Sequence, residues 1–268
     1  MTVRVRALLQ EALRLFSEAP PSDAQLQEWT MRLHAALEQE MPSDEETRKL
    51  LKDVLGTIYV REVERGGVAK RVPDVLRYTI DRVAPELRAE LDRRIFAAAD
   101  LIRLNKAERV GQTLKRFSGW LSSIPPGGTA ETDLRSVASE ILKPTAQVKF
   151  EARRVAIDQG HKLSAAVAHV VARGEGAIAA IWHDRGEHDR GYDARPEHLK
   201  RSGKLFLVRD SWATKDGLVR PGGPYTDDFE QPAEFPMCSC WWEWQTQPGA
   251  LPETLLTAKG REWVKGAA

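Results

Sequence analysis

A short polar stretch in the second half of the chain concentrates side chains that bind metals and transfer protons. From Ile181 to His198 the sequence reads IWHDRGEHDRGYDARPEH, with three histidines and five acidic residues. It also repeats, because HDRG at 183–186 is followed by HDRG at 188–191. Imidazole and carboxylate groups at this density are typical of metal sites and of acid–base catalysis. We therefore take this stretch as the first candidate for a functional site.

A zinc centre is one interpretation, since the chain has two cysteines, Cys238 and Cys240, separated by a single residue. Zinc is bound mainly by Cys and His, usually from closely spaced pairs. If the two cysteines lie in a strand, their side chains are roughly 7 Å apart, so that binding one ion requires a bend between them. His198 with His188 or His183 would then complete four ligands. The candidate zinc ligands are thus His188, His198, Cys238 and Cys240, and such a site would make the chain a zinc-stabilised interaction module. The alternative is a pair of buried, reduced thiols beside tryptophans.

A metal-dependent hydrolase is a second interpretation, in which carboxylates of the same stretch hold a hard cation. These carboxylates are Asp184, Glu187, Asp189 and Asp193. They alternate with arginines in a glycine-containing loop, and exposed ion pairs of this kind contribute at most ~1 kcal/mol each. The sequence has no G-x-S-x-G, no H-E-x-x-H and no phosphate-binding glycine loop. We therefore predict that the protein is not an enzyme, and a nuclease or toxin-like enzyme using His188, Asp189 and His198 is the alternative.

The charge of the chain gives no overall attraction to nucleic acid or to an anionic membrane. Lysine and arginine together number 40 against 39 acidic residues, for a formal net charge of +1. No run of 18 apolar residues is present, so we expect no membrane span. Arginines interrupt the apolar residues at the start of the chain, so we also expect no export signal.

The first 145 residues have the apolar spacing of amphipathic helices, with residues three and four apart forming one stripe. Ser22 with Gln25, and Ser43 with Glu46, predict two helix starts of the capping-box type. The IPPGG stretch at 124–128 predicts a linker. A short helix is expected from 134 to 142, ending before Pro144.

The second half changes period after one further helix that ends near Gly174 and Gly176. The stretches AIAAIW, KLFLVRD and CSCWWEW are short and apolar, which predicts strands. In an extended CSCWWEW the side chains of Cys238, Cys240, Trp242 and Trp244 would share one face. The predicted fold class is α+β, with a mainly helical N-terminal half followed by a small mixed α/β domain with a short antiparallel sheet, and one last helix near the end.

The order of these pieces resembles the C-terminal domain of the phage Mu F-like minor head proteins, the head-morphogenesis family. That family shows a D-Q-x-x-K-L-type helix, a tryptophan, an R-P-x-H segment, a following glycine and a C-x-C near the end. The resemblance covers roughly residues 147–244. The matching positions are Asp158, Gln159, Lys162, Leu163, Trp182, Arg195, Pro196, His198, Gly203, Cys238 and Cys240.

Two features depart from the family pattern. The loop between the tryptophan and R-P-x-H is usually short, whereas residues 185–192 here resemble an insertion that arose by local duplication. The usual N-C-R-C ending is replaced by MCSC, so Ser239 stands where the family has an arginine. No role of that arginine can be carried over.

The resemblance implies a minor capsid protein of a tailed bacteriophage, associated with the portal vertex or the head interior. Its expected partners are portal, major capsid or scaffold proteins, with possible contact to packaged DNA, several copies in a virion and no membrane. It would be made and assembled in the bacterial host cytoplasm. The implied domains are a helical docking domain at 1–128, the head-morphogenesis domain at 129–246 and a C-terminal helix or tail at 247–268.

The resemblance also assigns a structural role to the polar residues that carry it. We predict that they fasten the helix, the RPEH turn and the late CSC segment to one another, without cofactor apart from the zinc considered above. Leaving such buried groups unpaired costs about 1–3 kcal/mol each. The predicted polar cluster consists of Asp158, Gln159, Lys162, Trp182, Arg195, His198, Cys238 and Cys240.

Overall fold

The computed structural model describes residues 3–73, 75–129, 133–184 and 195–267. The predicted α+β class is confirmed: helices dominate the first half, and a small sheet lies in the second. The helices are α1 (Val3–Glu18), α2 (Asp23–Glu40), α3 (Asp44–Tyr59), α4 (Arg77–Ser122), α5 (Leu134–Ala146), α6 (Val148–Glu175), α7 (Pro196–Arg201), α8 (Trp212–Lys215) and α9 (Ala258–Ala267). The strands are β1 (Ala179–His183), β2 (Leu205–Leu207) and β3 (Trp241–Gln245).

The two predicted capping boxes are present. The Ser22 backbone N–H donates to Gln25 Oε1 at 2.9 Å, and the Gln25 N–H donates to Ser22 Oγ at 3.4 Å. Ser43 and Glu46 make the same reciprocal pair at 2.8 and 3.1 Å. Each box satisfies backbone donors that the first turn of a helix leaves free, which fixes where α2 and α3 begin.

The predicted end of α5 before Pro144 is wrong, because the helix continues through this proline to Ala146. Proline has no N–H, so the carbonyl four residues earlier, that of Glu140, loses its helical donor. Arg116 replaces that donor, with NH1 2.6 Å from the Glu140 carbonyl oxygen. A side chain from another helix therefore provides the hydrogen bond to the Glu140 carbonyl that Pro144 cannot provide.

The chain divides into two compact units. Unit 1 comprises residues 1–50 and 97–155, and unit 2 comprises residues 51–96 and 156–268. The division falls within α3, α4 and α6. The domains 1–128, 129–246 and 247–268 remain predictions, because a compact unit is not by itself a segment that folds independently.

Unit 1 is a helical unit with its own apolar core. Phe16 of α1 meets Trp29 of α2 edge to face, with ring centroids 6.0 Å apart. The backbone N–H of Val5, in the first turn of α1, donates to Glu40 Oε1 at 2.8 Å. The buried core residues are Val5, Leu9, Ala12, Leu13, Phe16, Trp29, Leu33, Ala36, Leu37, Val110, Phe117, Leu121, Ile124, Ala138, Ile141 and Leu142.

Unit 2 contains the antiparallel sheet, in the order β2-β1-β3. Trp182 in β1 is paired with Trp242 in β3, so that two large side chains lie next to each other on one face. The Trp244 N–H, on the outer edge of β3, donates to the Arg71 carbonyl at 2.7 Å. This hydrogen bond gives a partner to one of the backbone N–H groups on the edge of the sheet.

The predicted seven-residue strand CSCWWEW is wrong at its start. The strand begins at Trp241, and Cys238 and Cys240 lie in irregular chain before it. Met237 has φ of 60°, a left-handed conformation that side chains rarely adopt, and the Cys238 N–H donates back to the Phe235 carbonyl at 3.2 Å. The chain therefore turns immediately before the cysteines and does not extend through them.

The last helix is present as predicted, beginning at Ala258 after a 3-10 turn at Glu253–Leu255. It lies over a buried apolar cluster of unit 2. That cluster consists of Ile178, Ala179, Leu207, Ala213, Leu218, Val219, Leu251 and Leu256. Among the described residues, no helix combines the length and the apolar content that crossing a membrane requires.

Candidate metal centre

The His-Cys-Cys set predicted from the sequence comes together in unit 2. The ligand atoms of His198, Cys238 and Cys240 all lie within 4.8 Å of one another. His198 Nδ1 is 3.6 Å from the Sγ of Cys238 and 3.5 Å from the Sγ of Cys240. His198 is 2% exposed, and the cysteines are 3% and 8% exposed. These three residues form a buried cluster that could hold a metal ion.

The short helix α7 places His198 at this centre. Pro196 occupies the first turn, where its missing N–H costs nothing and its fixed φ favours a helix. The His198 N–H donates to the Arg195 carbonyl at 2.9 Å, which closes the turn. The RPEH sequence thus folds locally into a helical turn that turns the imidazole inward.

The turn before the cysteines is held by Asp158 of α6. Asp158 Oδ1 accepts from the Met237 N–H at 2.6 Å, and Asp158 Oδ2 pairs with Lys162 Nζ at 2.9 Å. Asp158 is 8% exposed, so these bonds satisfy a buried carboxylate. The bend that a shared metal ion requires of Cys238 and Cys240 is therefore stabilised by a side chain of the DQxxKL helix.

The two thiols interact with each other as well as with the imidazole. The neighbouring thiol of Cys240 lowers the pKa of Cys238. The hydrogen bond between the two thiols raises the pKa of Cys240, because losing its proton would break that bond. The lowered pKa of Cys238 favours its thiolate, which is the form that binds metals.

Glu230 lies on the opposite side of the imidazole. Glu230 Oε1 is 3.1 Å from His198 Nε2 and 2.7 Å from Arg201 NH1. The hydrogen bond from Arg201 lowers the pKa of Glu230, so this side chain is a carboxylate at neutral pH. Sequence reasoning missed both Glu230 and Arg201. The three-residue spacing of His198 and Arg201 would place both side chains on one face of a helix, and it is the sequence feature that could have pointed to Arg201.

Aromatic rings surround the centre. Trp182 is fully buried and meets the His198 ring edge to face at 5.2 Å and the Trp242 ring at 5.0 Å. The Arg195 guanidinium lies 4.7 Å from the centroid of the Phe235 ring, and its NH2 is 3.4 Å from the Pro236 carbonyl oxygen. Trp182 therefore packs on His198, and Arg195 packs on the segment that precedes the cysteines.

Other predicted residues do not reach the cluster. His183 Nε2 pairs with Glu243 at 2.8 Å, and its ring stacks on Trp241 at 4.3 Å, so it is not a fourth ligand here. Gln159 is buried, but its carbonyl oxygen has no hydrogen-bond partner among the described residues. The neighbouring Asp158 makes the contact to the CSC segment instead.

Asp184 is partly buried at the end of a described range, and the other predicted residues of the histidine-rich stretch fall outside the described part of the chain. This holds for the proposed ligand His188 and for the carboxylates of the hydrolase interpretation at 187, 189 and 193. Of the nuclease set His188, Asp189 and His198, the structure describes His198 alone, and its ring is occupied by the thiols and Glu230.

A cavity of about 500 Å³ lies elsewhere in unit 2 and shares Lys162 and Trp242 with the surroundings of the centre. Its cationic side chains already pair with carboxylates. Arg93 and Arg94 contact Glu90, for example, at 2.7 Å each. Each described cationic side chain of the lining therefore already has a carboxylate partner, and none is left free to define a ligand.

The arrangement allows two kinds of chemistry. A thiol, an imidazole and a carboxylate that are hydrogen-bonded one after another also occur in cysteine hydrolases, where the imidazole activates the sulfur. Here, however, two thiols share one ring nitrogen, and burial of His198 and both cysteines blocks access of a substrate to the sulfur. Two thiols and one imidazole nitrogen around a common point match the ligand set of a metal site better.

Comparisons of the chain with protein-family models, with curated proteins and with solved structures found no match.

Proposed function

We propose that the chain is a minor head protein of a tailed bacteriophage, a structural component of the particle and not an enzyme. The observation that supports this proposal is the meeting of three segments far apart in sequence. The DQxxKL helix contacts the turn before the cysteines through Asp158 and Met237, and the RPEH turn contacts the cysteines through His198. The resemblance to the Mu F-like family requires these segments to form one module, whereas a chance match of short motifs would leave them apart.

Burial supports a structural role for this module. Trp182 is fully buried, and His198, Cys238, Cys240 and Asp158 are each less than a tenth exposed. His198 contacts both thiols and Glu230, and Asp158 contacts the Met237 N–H and Lys162, so these buried groups already have partners within the protein. Such an arrangement stabilises the fold around it, because breaking any one contact leaves a buried partner unsatisfied.

In this proposal the centre binds zinc. Two thiolates and one imidazole are soft and borderline donors, which favour zinc over magnesium or calcium. An ion bound by His198, Cys238 and Cys240 would link α7 to the segment before β3. Because the unfolded chain has no such preformed site, the binding free energy adds to the free energy of unfolding.

The test of the head role is the protein content of phage particles. Particles are purified from a lysogen in which the only copy of this gene is supplied in trans, and the chain is quantified by mass spectrometry against the portal and major capsid proteins. We expect the chain to copurify with intact heads, and His198→Ala to lower its incorporation. Intact particles that lack the wild-type chain would contradict the proposal.

A further inference from the structure

We infer that Glu230 is a positioning residue of the metal centre, which holds the His198 ring so that Nδ1 faces the two thiols. The inference rests on the proposed zinc site and adds a residue that is not itself a ligand. It concerns the strength of metal binding, so it is testable apart from the role of the protein in a phage head.

The hydrogen bonds of the imidazole carry this inference. His198 Nε2 lies 3.1 Å from Glu230 Oε1, on the side of the ring away from the sulfurs. A carboxylate accepts hydrogen bonds and donates none, so Nε2 carries the proton in this contact. In a neutral imidazole the free lone pair is then on Nδ1, which lies 3.6 and 3.5 Å from the sulfurs of Cys238 and Cys240. The ring thus presents its ligand atom to the thiols.

Glu230 is itself held in place by the helix that carries His198. Arg201 NH1 is 2.7 Å from Glu230 Oε1, and Arg201 NH2 is 3.4 Å from Glu230 Oε2. His198 and Arg201 are three residues apart on α7, so their side chains emerge on the same face. The Arg201 guanidinium also lies 3.9 Å from the centroid of the Phe229 ring. The carboxylate therefore has a fixed position relative to the imidazole.

Two alternative roles of Glu230 lead to different expected results when this side chain is removed. If Glu230 only forms an ion pair with Arg201, its removal destabilises the protein to the same extent with and without metal. If it orients His198, its removal weakens metal binding in particular. Carboxylates that accept the second N–H of a ligating histidine typically change metal affinity about 10- to 100-fold.

The experiment measures zinc affinity of the full chain by competition with a chromophoric chelator. Glu230→Gln keeps the shape and an acceptor oxygen but loses the charge, and Glu230→Ala loses both. Glu197→Gln is the matched control, since Glu197 lies on the same helix and pairs with Lys200 at the surface. We expect affinity to fall about 10-fold in Glu230→Gln and up to about 100-fold in Glu230→Ala. The control should bind zinc like the wild type.

A second measurement keeps the test valid if Glu230→Ala does not fold. The shift in Tm between the zinc-loaded and the chelator-treated protein should be smaller in Glu230→Gln than in the wild type. Equal affinities and equal zinc-dependent shifts in wild type, Glu230→Gln and Glu197→Gln would overturn the positioning role and leave the zinc site standing. A wild-type chain that binds no zinc would overturn both.

Discussion

At the scale of single residues, His198 connects more of the site than any of its neighbours do. Its two ring nitrogens face different partners: Nε2 contacts Glu230, and Nδ1 contacts Cys238 and Cys240. The ring is also packed against Trp182, which is fully buried. Removing this side chain would take the imidazole away from both thiols, leave Glu230 with Arg201 alone, and open a space beside an indole ring.

We therefore expect His198→Ala to lower the free energy of unfolding by about 2–3 kcal/mol, measured by urea denaturation. The matched control is His183→Ala, because His183 also pairs with a glutamate but is about one-third exposed in its side chain. The control should lose less than about 1 kcal/mol. Equal losses in the two variants would contradict the special role of His198.

At the scale of elements, the packing of α9 depends on the absence of a side chain at Gly260. A Cβ at this position would overlap the carbonyl oxygen of Leu218, which is backbone and cannot move aside cheaply. The contact is fixed by Thr257, whose N–H donates to the same Leu218 carbonyl at 3.0 Å. The start of α9 is thus fitted to the Leu218 turn.

Gly260→Ala should therefore lower the free energy of unfolding by more than about 2 kcal/mol, although alanine is the better helix former. Gly266→Ala is the control on the same helix, since a Cβ there meets no atom within 4 Å. That substitution should be neutral or stabilise by up to about 1 kcal/mol. A Gly260→Ala variant as stable as Gly266→Ala would show that α9 does not pack on Leu218 in this way. Thermal denaturation of both variants provides the comparison.

On α4, the ion pairs of Glu90 give one contribution to stability that depends on pH. Burial alone would raise the pKa of Glu90, but hydrogen bonds and charge from Arg93 and Arg94 outweigh it and lower the pKa. A carboxyl whose pKa is lower in the folded state binds fewer protons there than in the unfolded state. Its contribution to the free energy of unfolding is complete above the pKa of the unfolded state, about 4.5. This contribution is lost as the pH falls through the lower pKa of the folded state.

We expect Glu90→Gln to be less stable than the wild type at pH 7, by on the order of 1 kcal/mol. The difference should shrink as the pH is lowered below about 4.5, because the wild-type carboxyl then becomes protonated. Urea denaturation of both proteins from pH 7 to pH 3 measures this. A difference that stays constant over the whole range would contradict the assigned ion pairs.

At the scale of the whole molecule, local sequence signals predicted local structure well. The capping boxes at Ser22 and Ser43 were recognisable because every contact involved lies within four residues. The end of α5 was mispredicted because Arg116, 24 residues before Glu140 in sequence, donates to the Glu140 carbonyl in place of the N–H that Pro144 lacks. A rule based on neighbouring residues has no access to such a partner.

The candidate site shows the same division. The family resemblance predicted that His198 and the two cysteines meet, but periodicity alone placed the cysteines in a strand. Asp158 and Gln159 both match the family pattern, and it is Asp158 that reaches the Met237 backbone. Glu230 lies 32 residues from His198 in a segment without periodicity, so no spacing rule pointed to it. The residue types of the site could be read from the sequence, but the contacts that Asp158 and Glu230 make with distant segments could not.

The zinc content of the purified chain tests whether His198, Cys238 and Cys240 form a metal centre. Mass spectrometry of the elements, after removal of loosely bound metal by gel filtration, gives the number of zinc atoms per chain for the wild type, for His183→Ala and for the double variant Cys238→Ser/Cys240→Ser. The account predicts about one zinc per chain in the first two and none in the double variant, since sites with Cys and His ligands bind zinc tightly. No zinc in the wild type, or as much zinc in the double variant as in the wild type, would contradict it.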